Sequence, residues 1–485
     1  MNTKSMKFSK NLNENIKILK RNLLSDDIIF LEVDNKNFAS TLIFADELAD
    51  KNAIGQLILK PLNSMDFMPN EQQLLNILMS PEKTIVQNPS EVFEQVVSGN
   101  AVLVVDGFNV AFSFGLKSFE KRAIAEPPTS TVLKGPREGF VESLPVNLSL
   151  MRRRLKTPSL MIEKLKVGKY SNTDIAFCYI DGIADKNLVK KLKDKISKIN
   201  IDAILDSSYV SKFLGEHKTS IFKQLGNTEK PDILAAKILE GRVAIMVDGS
   251  PIALTVPYLL IEDFQSPSDY YNSSYNATTA RILRLISVFI ALFLPAFFLS
   301  AELFHLQLIP LSFLLTIVNS IKGIPLSPSY EMFFTLLIFE ILNEASVRMP
   351  KYVGMVVSIV GGLVLGETAV TAGIISAPTL MVVALSGICL FTVPELEKSF
   401  SLLRLLFLLI GGSVGAYGLI LSMVFMTIYL ISFENYSTPL LAPFAPLITK
   451  DLKDGIYKGF LLENKQRPLS LKNTNKRRID LWTKL

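Results

Sequence analysis

Between residues 285 and 433 the chain carries a series of strongly apolar runs: 285–303, 309–321, 353–372, 374–393 and 405–433. A helix needs about 20 apolar residues to cross a hydrocarbon layer, and several of these runs approach or exceed that length. The ionisable residues among them are sparse and clustered. Several near-span runs in series are not what a soluble helical core requires. The pattern predicts an α-helical polytopic membrane domain over 278–433, with everything before it forming a soluble region attached to that block.

The first 280 residues have ordinary soluble composition. Leu12, Ile16, Leu19 and Leu23 recur at helical spacing, so 1–24 reads as an N-terminal amphipathic segment. Two α/β subdomains are expected next, at 25–125 and 165–270. Their kinship rests on a short repeat. Gly99-Asn-Ala-Val-Leu-Val-Val-Asp106-Gly107 matches Gly241-Arg-Val-Ala-Ile-Met-Val-Asp248-Gly249, and each copy follows a helix-like stretch. The strand at 28–31 is expected to correspond to 175–179, and 201–205 reads as a further strand. Asp-Gly is foremost a turn pair, so Asp106 and Asp248 read as turn residues ahead of ligands.

The linker 126–164 holds the most unusual polar stretch, Gly135-Pro-Arg-Glu-Gly139, followed by Arg152, Arg153 and Arg154. Arg137 and Glu138 point to an ionic network or a ligand clamp. The lysine–serine/threonine ending of a phosphate loop is missing. The three arginines either meet lipid phosphates or a neighbouring subunit's acids, or form a solvated basic turn. These five residues are the candidates for coupling or assembly.

In the apolar block, Glu340, Glu344 and Arg348 share the four-residue step and lie along one helix face. Glu302 ends the first run, and Glu367 interrupts the third. Ionisable groups are expensive at membrane depth unless they face water or a partner. These five are therefore candidates for an ion path or gate, with a purely structural ion network or an interfacial position as the alternative. Pro295 removes a backbone donor inside the first run, and a neighbour or water must satisfy the freed carbonyl. Gly411, Gly412, Gly415 and Gly418 predict a packing face, a tilt or a break in the last run. Five full crossings place the basic tail at 434–485 opposite the N-terminal region. A re-entrant run puts both ends in the cytoplasm, which the tail's charge favours.

Formal charge is +6, with the excess near 465–484. Beside a membrane block, such a tail points to anionic lipid rather than nucleic acid. Two cysteines and two histidines leave no disulfide framework, and no metal or cofactor is expected. No nucleophile–base arrangement stands out, so the chain does not read as an enzyme. The first 25 residues lack a continuous apolar stretch, which places the large N-terminal region in the cytoplasm and targeting in later segments.

Taken in order, the motifs resemble the A subunits of GerA-type spore nutrient germinant receptors. They are Gly135 to Glu142, Asn147 with Arg152 to Arg154, Thr228-Glu-Lys-Pro-Asp232, Glu240 to Val243 and Asp248 to Pro251. They continue with Asp269-Tyr-Tyr271, Glu340 through Arg348 to Pro350, Pro443-Phe-Ala-Pro446 and Asp451-Leu-Lys-Asp454. Asn343 and Ser346 depart from the family's arginine and glycine. The resemblance implies a multi-pass protein of the spore inner membrane with a transporter-like B subunit and a lipoprotein C subunit as partners. It also implies oligomerisation into a nutrient-gated channel that releases monovalent ions. A non-conducting scaffold or signal relay is the alternative, and a secondary transporter a weaker one.

Overall fold

The computed structural model describes residues 7–117, 134–350, 353–354, 362, 364, 366–460 and 463–478. Residues 355–361, 363 and 365 of the expected apolar run 353–372 lie outside them. The chain divides into two compact units. One takes the chain up to Lys218, Gln224–Tyr258 and the segment from Asn464 on; the other takes Thr219–Lys223 and Leu259–Glu463.

The first unit is built from two sheets of the same design. The first subdomain contains α1 (Leu12–Asn22), β1 (Ile28–Asn35), β2 (Phe38–Ala45), β3 (Lys83–Val86), α2 (Pro89–Val97), β4 (Ala101–Val105) and β5 (Ala111–Phe114). The second contains α3 (Leu144–Arg154), β6 (Leu160–Val167), β7 (Thr173–Ile180), β8 (Gly226–Thr228), α4 (Pro231–Leu239), β9 (Val243–Val247) and β10 (Ala253–Val256). The strand orders are β1-β2-β4-β5-β3 and β6-β7-β9-β10-β8. Every pairing is antiparallel. In both, helices are inserted before the last-placed edge strand: 71–77 and its predecessors before β3, Lys186–Ser197 and Ser207–Leu214 before β8.

The strands at the repeat read as unbroken apolar runs because both faces are covered. Leu103 and Val105 pack with Ile54, Ile58, Leu62 and Leu74 on one face. Val102 and Val104 pack with Leu12, Leu19, Val92 and Val96 on the other. Equivalence places 28–35 opposite 160–167, not 175–179; the latter corresponds to β2. The expected strand at 201–205 is irregular backbone instead. Ile201 and Asp202 give their carbonyls to the amides of Lys169 and Tyr170 at 2.8 Å each, beside the β6–β7 turn.

The repeat aspartates do more than turn the chain. Asp106 Oδ1 accepts from the amide of Leu12, at the start of α1, at 2.9 Å. Asp248 Oδ1 accepts from the amide of Leu144, at the start of α3, also at 2.9 Å. Each satisfies a helix-terminal donor that has no partner inside its helix. Buried Asn15 bridges the amide and carbonyl of Ser9, and buried Asn147 bridges those of Val141, six residues earlier in each case. The kinship therefore extends over whole subdomains.

The helical unit contains α5 (Ser274–Phe304), α6 (Leu311–Ile321), α7 (Pro328–Arg348), α8 (Ala377–Leu390) and α9 (Glu397–Ser432). Among the described residues, two helical segments are long and apolar enough to cross a membrane, Ser274–Phe304 and Pro394–Ser432. The others are too short or too charged. At 36 residues α9 is about 54 Å long, well beyond a hydrocarbon layer of about 30 Å. It is broken at Gly415, whose φ of 72° and ψ of −158° are not helical. That left-handed region favours glycine. Gly411 provides the packing face: a Cβ there would stand 2.8 Å from the carbonyl oxygen of Ala296 on α5.

Candidate functional site

The site begins with Pro295, buried in the middle of α5. A helical proline cannot donate to the carbonyl four residues earlier, which here belongs to Ala291. Ser386 Oγ of α8 donates to that carbonyl at 2.8 Å. The same hydroxyl accepts from Arg404 Nη1 of α9 at 2.9 Å. Arg404 Nη2 in turn donates to Glu340 Oε1 of α7, and Ser401 Oγ donates to the same oxygen at 2.5 Å. One hydroxyl and one guanidinium thus link four helices. Arg404 and Ser386 are buried, while Glu340 keeps a quarter of its side chain accessible. The guanidinium also lies 5.6 Å from the centre of the Phe339 ring. Leu299, Met332, Leu336, Val382, Val383 and Leu408 form an apolar core of the same bundle.

The Glu340, Glu344 and Arg348 stripe divides. Glu344 and Arg348 pair with each other at 2.6 Å on an exposed surface, whereas Glu340 turns to Arg404. Glu302 sits half-buried in the last turn of α5, and Glu367 is exposed in the short helix Gly366–Thr371. A further carboxylate, Glu331, is buried: its Oε1 accepts from the amide and hydroxyl of Ser376 at 2.7 Å each. Asn343, one of the departures from the family pattern, donates to Glu397 at 2.6 Å.

A second ionic cluster lies before the helices. Arg284 binds Asp269 with two bonds, at 2.7 and 2.9 Å. Arg281, almost fully buried, donates to Asp269 at 3.2 Å and through Nη1 to the carbonyls of Asp454 and Gly455 at 3.0 and 2.7 Å. Burial pushes the Asp269 carboxyl up, but the Arg284 hydrogen bond and the Ser266 amide outweigh it, holding it below its ordinary range. The family motifs 269–271 and 451–454 are thereby one structure. In the segment 219–223, Lys223 pairs with Asp263 and Glu395 at 2.6 and 3.0 Å. Burial pulls the ammonium's pKa down, and the two carboxylates more than reverse it.

In the first unit, the coupling candidates separate into two groups. Arg152 is fully buried and grips Asp27 with Nε and Nη2 at 2.6 and 2.7 Å, with Ser25 Oγ alongside at 2.8 Å. It joins the two subdomains, whose seam includes Asp26 N to Ile162 O at 2.9 Å and Lys164 Nζ to Glu47 at 2.6 Å. Arg153 and Arg154 each donate to Glu138 at 2.8 Å, and Arg137 is exposed. The tail folds onto the second subdomain: Arg467 Nε donates to Leu239 O at 2.7 Å, Asn473 to Glu240 O at 2.9 Å and Thr474 Oγ1 to Gly182 O at 2.7 Å. No cluster of three or more metal-ligating side chains occurs among the described residues.

The family described as Bacillus/Clostridium GerA spore germination protein matches residues 14–470. Spore germination protein KA of Bacillus subtilis (strain 168) is 36% identical over 464 residues, covering 93% of this chain and 85% of that protein. Spore germination protein B1 of the same organism is 31% identical over 471 residues, with coverage of 96% and 98%. A crystal structure of the N-terminal domain of the A subunit of the Bacillus megaterium spore germinant receptor GerK3 matches at 28% identity and a TM-score of 0.40. It covers 52% of this chain and 97% of that one.

Proposed function

Because this chain belongs to the Bacillus/Clostridium GerA family of spore germination proteins, we propose that it is the A subunit of a nutrient-sensing germinant receptor. In this role it oligomerises into a nutrient-gated path for monovalent ions. Its partners are a transporter-like B subunit, a lipoprotein C subunit, further copies of itself and lipid of the spore inner membrane. The observation that supports an ion path is the polar relay through Arg404, Ser386 and Glu340 within otherwise apolar helices. Polar groups at such depth mark ion pathways more often than anchors. Exposed Leu311, Leu315 and Val318 of α6 supply apolar surface for lipid or another copy.

The second reading, a non-conducting relay, is favoured by one specific fact: Glu340 is matched by Arg404, and Glu344 by Arg348. Ion flux separates the two. With the complex reconstituted in vesicles, Glu340→Gln, Glu344→Gln and Glu367→Gln are expected to change conductance, selectivity or gating. Unchanged values for all three, with normal assembly, favour the relay. A secondary transporter is the weaker reading. Transporter folds repeat their helices, and the repeat described above lies in the sheets.

For the topology we propose an even number of crossings, with both ends of the helical block on one side; the membership of residues 464–478 in the same compact unit as the N-terminal subdomains supports this reading. Crossings by α5 and α9 alone satisfy this, with α6, α7 and α8 as shorter embedded elements. The basic tail puts that side in the cytoplasm. Impermeant thiol reagents should label Asn37→Cys and Lys472→Cys from the same face of oriented vesicles; labelling from opposite faces refutes the arrangement.

A further inference from the structure

Pro295 and Arg404 are far apart in sequence, yet one hydroxyl connects them. Ser386 Oγ donates to the carbonyl that Pro295 leaves without a helical donor, and accepts from Arg404. Arg404 is held between that hydroxyl and Glu340. Its Nε has no hydrogen-bond partner among the described residues, and the carboxylate it pairs with, through Nη2, is that of Glu340. Separating α7 from α9 breaks this contact, and the proline in α5 marks the place where that helix bends most easily.

We propose that Arg404 is the positioning residue of the gate. Its pairing with Glu340 stabilises the closed arrangement, and Ser386 transmits the state of that pair to the bend at Pro295. This rests on the ion-path reading above. In the closed arrangement the Arg404 charge neutralises Glu340, so the carboxylate cannot draw a cation. Opening frees the carboxylate and exposes it to water or a passing cation. The two arrangements therefore differ in what Glu340 contacts, as a gated equilibrium requires.

The receptor complex containing this chain is purified and reconstituted in potassium-loaded vesicles, and efflux is followed without nutrient. A mixture of L-amino acids, nucleosides and sugars is then added. Arg404→Gln is expected to raise nutrient-free efflux by about 5- to 150-fold, the span of ordinary coupling energies. Glu340→Gln/Arg404→Gln should fall back toward wild type, because neither charge is left unpaired. Ser386→Ala should raise efflux in the native background but not in Pro295→Ala, where residue 295 regains an N–H for the Ala291 carbonyl. A purely structural role lowers the yield of complex without this pattern. Wild-type efflux that responds to the mixture, with Arg404→Gln unchanged or Ser386→Ala equally effective in both backgrounds, overturns the proposal alone. Silence of every sample in both conditions overturns the ion-path reading, and the proposal with it.

Discussion

Replacing Arg152 with alanine is expected to destabilise the N-terminal unit by about 3–5 kcal/mol, the usual consequence of stripping one partner from a buried ion pair. Arg152 and Asp27 are both fully buried, and the guanidinium meets the carboxylate with two bonds at 2.6 and 2.7 Å. Without the arginine, the Asp27 carboxylate stays buried with the Ser25 hydroxyl, and the carbonyl of Thr157 loses a donor at 3.2 Å. The damage should concentrate at the seam between subdomains, where Ser25 Oγ also receives the amide of Ile162 at 2.8 Å. Denaturant unfolding of the full-length protein in detergent gives the magnitude, and hydrogen exchange along β1 and β6 gives the place. Arg152→Met with Asp27→Leu should recover most of the loss, since an apolar pair leaves no buried charge. A cost under about 1 kcal/mol, typical of surface pairs, would falsify the assignment.

That residue also shows where sequence reasoning stops. Arg152, Arg153 and Arg154 are adjacent and read as one basic patch, yet their fates differ. On a helix, consecutive side chains point about 100° apart. Arg152 faces the seam, while Arg153 and Arg154 reach back to Glu138. The Glu344–Arg348 pair was legible because its spacing is one helical turn. The Glu340–Arg404 pair was not, because its members lie 64 residues apart on different helices. Pro295 announced an orphaned carbonyl, but nothing local identified Ser386 as its donor.

The same distinction applies to the sheets. The Asp-Gly repeat was visible because β4 and β9 are buried along their whole length, and burial on both faces leaves a continuous apolar signature. The edge strands β1 and β6 mix buried and exposed positions, so their equivalence is hidden in the sequence, where the more apolar β7 resembles β1 better than β6 does. In the helical unit, apolar composition indicated a membrane block. It did not distinguish helices that can cross from short ones such as α6 and α8. Length is set by capping and breaks, including the Ser376 side chain at the start of α8, rather than by hydrophobicity.

Asp269 carries the second large expected effect. Arg281 and Arg284 resemble the basic flank that anchors a membrane segment on its cytoplasmic side. In the folded chain they are instead tied to Asp269, and Arg281 passes on to the carbonyls of Asp454 and Gly455. Asp269→Ala leaves the guanidinium of buried Arg281 and the two-bond grip of Arg284 without their shared carboxylate. A loss of about 3–5 kcal/mol is expected, with release of the 451–458 segment, read as faster hydrogen exchange there. The pH dependence has a definite sign. The Asp269 carboxyl titrates below its ordinary 3.8, so its stabilisation is fully present above that value and is lost only as pH falls through the lower folded-state value. Between pH 7 and 5 the cluster should stay closed in the native protein, whereas Asp269→Ala should be open throughout. Opening of the native cluster already at pH 5 would show that another group controls it. Tyr270, whose hydroxyl donates to Asp454 Oδ2 at 3.1 Å, offers a second check. Tyr270→Phe removes one hydrogen bond to a carboxylate, worth about 1.5–3 kcal/mol, so it should loosen the segment less than loss of the Asp269 carboxylate does.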